Sequence, residues 1–139
     1  MAATLQLEVV TPERMLIKEQ VLAVTIPGLG GELGILPEHA PLLSEVGSGS
    51  LVYTLEGGQK KCISISGGYL EVLENRVRVL AQRAEYADEI DVKRAGEALK
   101  RAEERVLHPT ADLDSARALN AMKRAQARLA AAQIGSGKR

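Results

Sequence analysis

From Thr4 to about Ala84 the apolar positions recur with period two: Leu5, Leu7 and Val9; Leu22, Val24 and Ile26; Leu51, Tyr53 and Leu55; Ile63 and Ile65; Val77 and Val79. Successive side chains on a strand point to opposite faces, so each run predicts a half-buried β-strand. Turn-forming stretches stand between them: Gly47-Ser48-Gly49-Ser50, Glu56-Gly57-Gly58, Ser66-Gly67-Gly68 and Glu74-Asn75-Arg76. Many short strands with both faces partly apolar predict two packed sheets, a β-sandwich, rather than one open sheet.

After Glu85 the period changes. Alanine takes over, and Ala95, Ala98, Leu99, Ala102 and Val106 follow the i, i+3, i+4, i+7 spacing of an amphipathic helix. His108-Pro109-Thr110 ends that helix, because a residue before proline is pushed out of helical conformation. A second helix is expected from about Ser115 to Gln133, stopped by Gly135-Ser136-Gly137. The two helices repeat each other: Ile90-Asp91-Val92-Lys93-Arg94-Ala95 matches Leu113-Asp114-Ser115-Ala116-Arg117-Ala118, and Leu99-Lys100-Arg101-Ala102 matches Met122-Lys123-Arg124-Ala125. In each copy the Asp suits a helix cap, with Ile90 or Leu113 packed just outside it. A short connection makes an antiparallel helical hairpin. The fold class is therefore an all-β sandwich over residues 1–87 followed by a two-helix hairpin over residues 88–139. The mostly alanine seam hides little area, so the hairpin is expected to be weakly held and open to redirection by a partner or ligand.

One segment fits neither period. Pro27 to Leu43 contains four glycines and three prolines, which disfavour a helix and an uninterrupted strand alike, and it is expected to be a shaped loop presenting apolar residues to a partner. Its glycines are not a phosphate cradle: the third glycine of a dinucleotide fingerprint starting at Gly28 would fall on Leu33, and no Gly-Lys-Ser/Thr follows. His39, His108 and the single Cys62 are too poor a ligand set for a metal, and none is expected. Cys62 reads as a small packed hydrophobe in a strand.

Composition narrows the partners. The formal net charge is zero and the aromatic fraction 2%, so neither a global attraction to nucleic acid nor a stacking platform for single strands exists. No run approaches the roughly 20 apolar residues of a membrane span, and the N-terminus lacks the pattern of a signal peptide. No nucleophilic set or close carboxylate pair can be assembled from the β half, and no catalytic residue is expected. Charge is asymmetric locally. From Ser115 onward every charged residue is basic: Arg117, Lys123, Arg124, Arg128, Lys138 and Arg139. Arg94, Arg101 and Arg105 are spaced like Arg117, Arg124 and Arg128, so each helix carries a guanidinium row suited to phosphate oxygens or to an acidic partner. The plainer alternative is a solvated basic face.

The run Gly31-Glu32-Leu33-Gly34-Ile35-Leu36-Pro37-Glu38-His39-Ala40-Pro41-Leu42-Leu43, together with Ser66-Gly67-Gly68-Tyr69-Leu70-Glu71-Val72 and the opening Leu7-Glu8-Val9-Val10-Thr11-Pro12, resembles the epsilon subunits of bacterial and chloroplast-type rotary ATP synthases, called delta in mitochondria. Glu38 departs from that pattern, standing where many relatives have glycine. The resemblance implies a non-catalytic rotor subunit, its sandwich bound to the gamma subunit and the c-ring. The partner loop would be Gly34, Ile35, Leu36, Pro37, Glu38, His39, Ala40, Pro41 and Leu42. It further implies a peripheral position on the cytoplasmic face of the bacterial membrane, or the stromal face of a thylakoid. The hairpin would lie folded or extend along gamma and block ATP hydrolysis, with Arg117, Lys123, Arg124 and Arg128 meeting acidic residues of a beta subunit in the alpha/beta head.

Some members of that family bind ATP through an Ile/Leu-Asp-x-x-Arg-Ala motif. Ile90, Asp91, Arg94 and Ala95 match it, and Glu85, Arg101, Arg124 and Arg128 match its supporting positions, implying ATP as a regulatory ligand and no required cofactor. Another reading stays open, because Asp114 and Arg117 repeat the Asp91 and Arg94 pattern: Asp91 caps a helix and the arginines are solvated. A free-standing nucleotide sensor with the sandwich as platform is the alternative function.

Overall fold

The computed structural model describes residues 3–112 and 114–137. Seven strands come first: β1 (Leu5–Val10), β2 (Met15–Gly28), β3 (Gly31–Ile35), β4 (Leu42–Glu45), β5 (Ser48–Leu55), β6 (Lys60–Leu73) and β7 (Arg76–Tyr86). A single 3₁₀ turn, Ala87–Glu89, leads to α1 (Val92–Leu107) and α2 (Ser115–Gly137). The strand order is β1-β7-β6-β5-β2-β3, with β4 on β6 and β1 closing back onto β2. The β1–β7 pairing is parallel and the rest antiparallel.

Two 14-residue strands serve both layers of this sandwich. The first half of β2 pairs with β1 and the second half with β5 and β3. The first half of β6 pairs with β5 and the second half with β4. Each long strand needs a bend, and each bend falls where the simple alternation fails. In β2 the β5 register shifts between Val21 and Ala23, so Val21 and Val24 are buried while Leu22, expected inside, is only partly covered. In β6 the bend is Gly67-Gly68, with φ of +74° and +121°. A Cβ on Gly68 would stand 1.9 Å from the Leu80 carbonyl oxygen, so no other residue fits. Ser66-Gly67-Gly68 is thus a bend inside one strand, not the turn its composition predicts. Ser48-Gly49-Ser50 likewise opens β5 instead of turning; there Gly49 makes room for Pro27, whose Cβ would lie 2.8 Å from an added Cβ.

The expectation of a loop throughout Pro27–Leu43 is corrected in the same way. Gly31–Ile35 is a strand paired with β2 from Val24 to Gly28, a hairpin turning at Leu29-Gly30. Pro27 is tolerated because its carbonyl accepts from the Gly47 N–H at 2.8 Å while the Gly47 carbonyl takes its hydrogen bond from the Gly67 N–H at 3.1 Å, so no donor is required of Pro27 on that side. Only Leu36–Pro41 is irregular. Glu38 holds the left-handed conformation, φ +69°, that glycine usually takes. Its backbone N–H donates to Asn75 Oδ1 at 2.6 Å and its carboxylate accepts from Asn75 Nδ2 at 2.5 Å. The side chain that strains the backbone therefore also fastens the loop to the β6–β7 turn.

Leu5, Leu7, Val9, Val24, Ile26, Leu51, Tyr53, Ile63, Ile65, Val77 and Val79 lie in one continuous core between the layers, as their alternation predicts. Asp91 caps α1, accepting from the Arg94 N–H at 3.0 Å, and Asp114 accepts from the Arg117 N–H at 3.0 Å. Ile90 is buried beside its cap; Leu113, its counterpart, lies outside the described residues, as do Lys138 and Arg139. The α2 backbone runs through Gly137, beyond the Gln133 end expected from its glycines, because each glycine lowers helix propensity by only about 1 kcal/mol and does not by itself break a helix.

Candidate functional site

The hairpin is docked on the sandwich. A second, smaller apolar cluster holds the two together: Cys62 from β6, Ile90, Ala95 from α1, and Ala131 and Ala132 from α2, with Val52, Ala87 and Leu129 packed against it. Burial raises the pKa of the Cys62 thiol, in keeping with a packing role. Small side chains bring α2 close to β5 and β6 at this end.

Away from that seat, sandwich and hairpin diverge around a cleft of about 510 Å³. Ser64 and Ser66 of β6, residues 82–85 of β7 and Glu13 form one wall. Ala98, Arg101, Ala102 and Arg105 of α1 and Ala121, Arg124, Ala125 and Arg128 of α2 form the other. The internal repeat explains this wall: the same alternation of two alanines and two arginines, at i, i+3, i+4 and i+7, recurs in each helix. Alanines sit low against the neighbouring element and arginines rise beside them.

Five guanidiniums, Arg83, Arg101, Arg105, Arg124 and Arg128, meet two carboxylates, Glu13 and Glu85. Arg128 Nε donates to Glu85 Oε1 at 2.5 Å, fastening α2 to β7. Among the described residues the other four guanidiniums have neither a hydrogen bond nor an ion pair. Burial, then the nearby charges of Arg83 and Arg117, press the Arg124 guanidinium below its ordinary pKa. The cleft therefore carries an excess of positive charge and a set of unused planar donors, which suits a phosphate-bearing anion.

The nucleotide residues read from the sequence divide in two. Glu85, Arg101, Arg124 and Arg128 line the cleft. Ile90, Asp91, Arg94 and Ala95 do not: Ile90 and Ala95 pack in the seat, the Asp91 carboxylate is engaged as a cap, and Arg94 is exposed. The basic set divides as well, since Arg117 and Lys123 are exposed while Arg124 and Arg128 are half-buried in the cleft. Arg83, Arg105 and Glu13 belong to the cleft without having been singled out as ligands. Arg105 was legible as part of an arginine row; Arg83 was not, because nothing in β7 marks which outward residue a distant helix will face.

The partner-loop residues lie elsewhere. Gly34 and Ile35 end β3, Leu36 to Pro41 form the irregular stretch, and Leu42 opens β4. Ile35 is buried in the core, whereas Leu36 and the adjoining Leu43 are exposed by 62% and 75%. On the outer face of the same sheet, Tyr69, Leu80, Val10 and Met15 follow one another across β6, β7, β1 and β2. Tyr69, Leu80 and Met15 are each about half exposed. Exposed apolar residues gathered in this way mark an interaction surface, and the docked hairpin leaves it open.

A bent β-sandwich carrying a two-helix hairpin defines a class: the chain belongs to the ATP synthase delta/epsilon family. The beta-sandwich domain of the ATP synthase delta/epsilon chain matches residues 4–87 and its long alpha-helix domain residues 88–133. The chain is similar to the ATP synthase epsilon chain of Solibacter usitatus, 54% identical over 132 residues that cover 95% of this chain and 98% of the relative. That of Syntrophomonas wolfei is 45% identical over 131 residues, 94% and 96% of the two chains. A chain in the Euglena gracilis mitochondrial ATP synthase, OSCP/F1/c-ring in rotational state 1, has a TM-score of 0.80 at 26% identity, covering 89% of this chain and 78% of that one. A chain in the central stalk/c-ring of the Tetrahymena thermophila mitochondrial ATP synthase shares the fold, with a TM-score of 0.57 at 15% identity over 94% of each.

Proposed function

We propose that the chain is the non-catalytic epsilon subunit of an F-type ATP synthase, turning with the rotor and governing ATP hydrolysis through its hairpin. The observation that carries this reading is the similarity, along 95% of the chain, to an ATP synthase epsilon chain. The exposed stripe and the Leu36–Pro41 loop offer an apolar surface to the gamma subunit and the c-ring, so the protein attaches to the membrane through the complex, on its cytoplasmic face in a bacterium. Among the described residues no helix is long and apolar enough to cross a membrane itself.

The hairpin is the regulatory element in this reading. Its apolar seat is mostly alanine and contributes only a few kcal/mol on transfer scales, so a competing partner of similar strength displaces it. Once undocked, α2 exposes Arg124 and Arg128 together with Arg117 and Lys123 to an acidic surface of a beta subunit, blocking hydrolysis. ATP in the arginine cleft opposes that step. A ligand bound only by the docked form, at a hundredfold excess over its dissociation constant, stabilises docking by about 2.7 kcal/mol. Proton flow through the c-ring drives the rotation; this chain couples and regulates it.

The test is made in the assembled complex. A chain ending at Ala87 is expected to support assembly with gamma and the c-ring while ATP hydrolysis rises several-fold. Full-length chain with Arg117, Lys123, Arg124 and Arg128 all changed to Glu gives the same release. Hydrolysis unchanged in both removes the inhibitory role, and failure of the full chain to co-purify with gamma removes the rotor role.

A further inference from the structure

We propose that Arg83 is a ligand residue of the cleft: it is the sandwich's half of a polyphosphate clamp whose other half is Arg101 and Arg124 of the hairpin. The inference rests on the reading that the cleft takes a phosphate-bearing ligand. It adds the residue that makes docking depend on that ligand.

Charge on the two walls is the ground for it. Hairpin residues supply four of the five arginines, and the sandwich wall supplies Glu13, Glu85 and the neutral Ser64, Ser66 and Gln82 alongside Arg83. Without Arg83 that wall would be acidic. It would pair with the hairpin's guanidiniums, as Glu85 does with Arg128, and would repel a phosphate chain. A carboxylate at position 83 would be the residue of choice for holding an empty hairpin in place. An arginine there does the reverse: like charges face each other across the junction, and the Arg83 charge adds to burial in pressing the Arg124 guanidinium below its ordinary pKa. The Arg83 and Arg124 guanidiniums each lack a hydrogen bond or ion pair among the described residues, so their forks are free to bind. A polyphosphate set between the walls neutralises both and spans them, because guanidinium forks take phosphate oxygens bidentately. The charge that weakens the empty docked state therefore strengthens the occupied one, and ligand occupancy is converted into hairpin position.

The ligand chemistry has two sources, a nucleoside triphosphate and an inorganic polyphosphate. The experiment uses the full chain and both probes, ATP and inorganic triphosphate, titrated by calorimetry. Hydrogen exchange of α2 amides reports docking. For R83Q, affinity for whichever probe binds the wild type is expected to fall about tenfold. R83E should lose binding and also slow α2 exchange below that of ligand-free wild type, since the new carboxylate pairs with Arg124. The control, K100Q, lies outside the cleft and should leave both readouts unchanged. Wild-type affinity in R83Q overturns the role of Arg83 while leaving the nucleotide site intact. Absence of binding by wild-type protein to either probe overturns both. Binding of triphosphate alone, sensitive to R83Q, keeps the clamp and removes the nucleotide as its occupant. Faster α2 exchange in R83E contradicts the repulsion on which the coupling depends.

Discussion

Tyr53 is the largest side chain sealed in the sandwich core, with 1% of its surface exposed. Burial and then the neighbouring Glu19 carboxylate raise its pKa far above the ordinary tyrosine value. Below about pH 10 the phenol is neutral in folded and unfolded chains alike, and its contribution to stability is complete. As the pH climbs higher, the unfolded chain ionises at Tyr53 and the native one does not, so stability falls by up to about 1.4 kcal/mol per pH unit from this group. Tyr86, also raised, adds to the trend. Chemical denaturation of wild type and Tyr53→Phe between about pH 8 and pH 11 is expected to show a shallower alkaline decline in the variant; parallel curves would remove Tyr53 as the cause. Glu38 teaches a different lesson at this scale. The sequence showed a glutamate where many relatives have glycine; the fold showed that the position is left-handed and brought Asn75, far along the chain, within reach to hold it.

At the scale of elements, the seat between α2 and the sandwich is the weak joint. Ala131 is fully buried there, in one cluster with Cys62 and Ile90. Ala131→Leu keeps helix propensity close to that of alanine but overpacks the joint, at a cost of about 1–3 kcal/mol. Hydrogen exchange is expected to speed up throughout α2 while the core strands β1 and β7 keep wild-type protection. Equal loss in α2 and the strands would mean that hairpin and sandwich unfold as one unit. Periodicity foretold α1 and α2 because an amphipathic stripe shows in any short window. It misplaced the ends of β5 and β6, since glycines that mark turns in isolation serve here to bend or admit a neighbour.

For the molecule as a whole, the two apolar clusters say how its parts depend on one another. The main core draws every buried member from strands or from Val46 between them, and none from the helices. Of the two clusters, removing the hairpin opens the small one around Cys62 and leaves the membership of the main core intact. Residues 1–87 alone are therefore expected to unfold in one cooperative transition with a native-like β spectrum, seen by circular dichroism with denaturant. A gradual, non-cooperative loss of signal would show that the hairpin is needed to complete the sandwich.

What the sequence by itself determined was everything carried by local period and composition: the β half, the alanine-lined helices, the Asp caps, the arginine rows and the residues that mark the family. Each is a property of a window shorter than about twenty residues, in which backbone geometry alone sets which side chains share a face. Tertiary structure decided which arginines work together. Arg101 and Arg124 share a cleft with Arg83 while Arg94 and Arg117, alike in sequence, lie outside it, because the way two rods rest on a bent sheet is set by long-range packing at the alanine seat, which no short window of sequence contains.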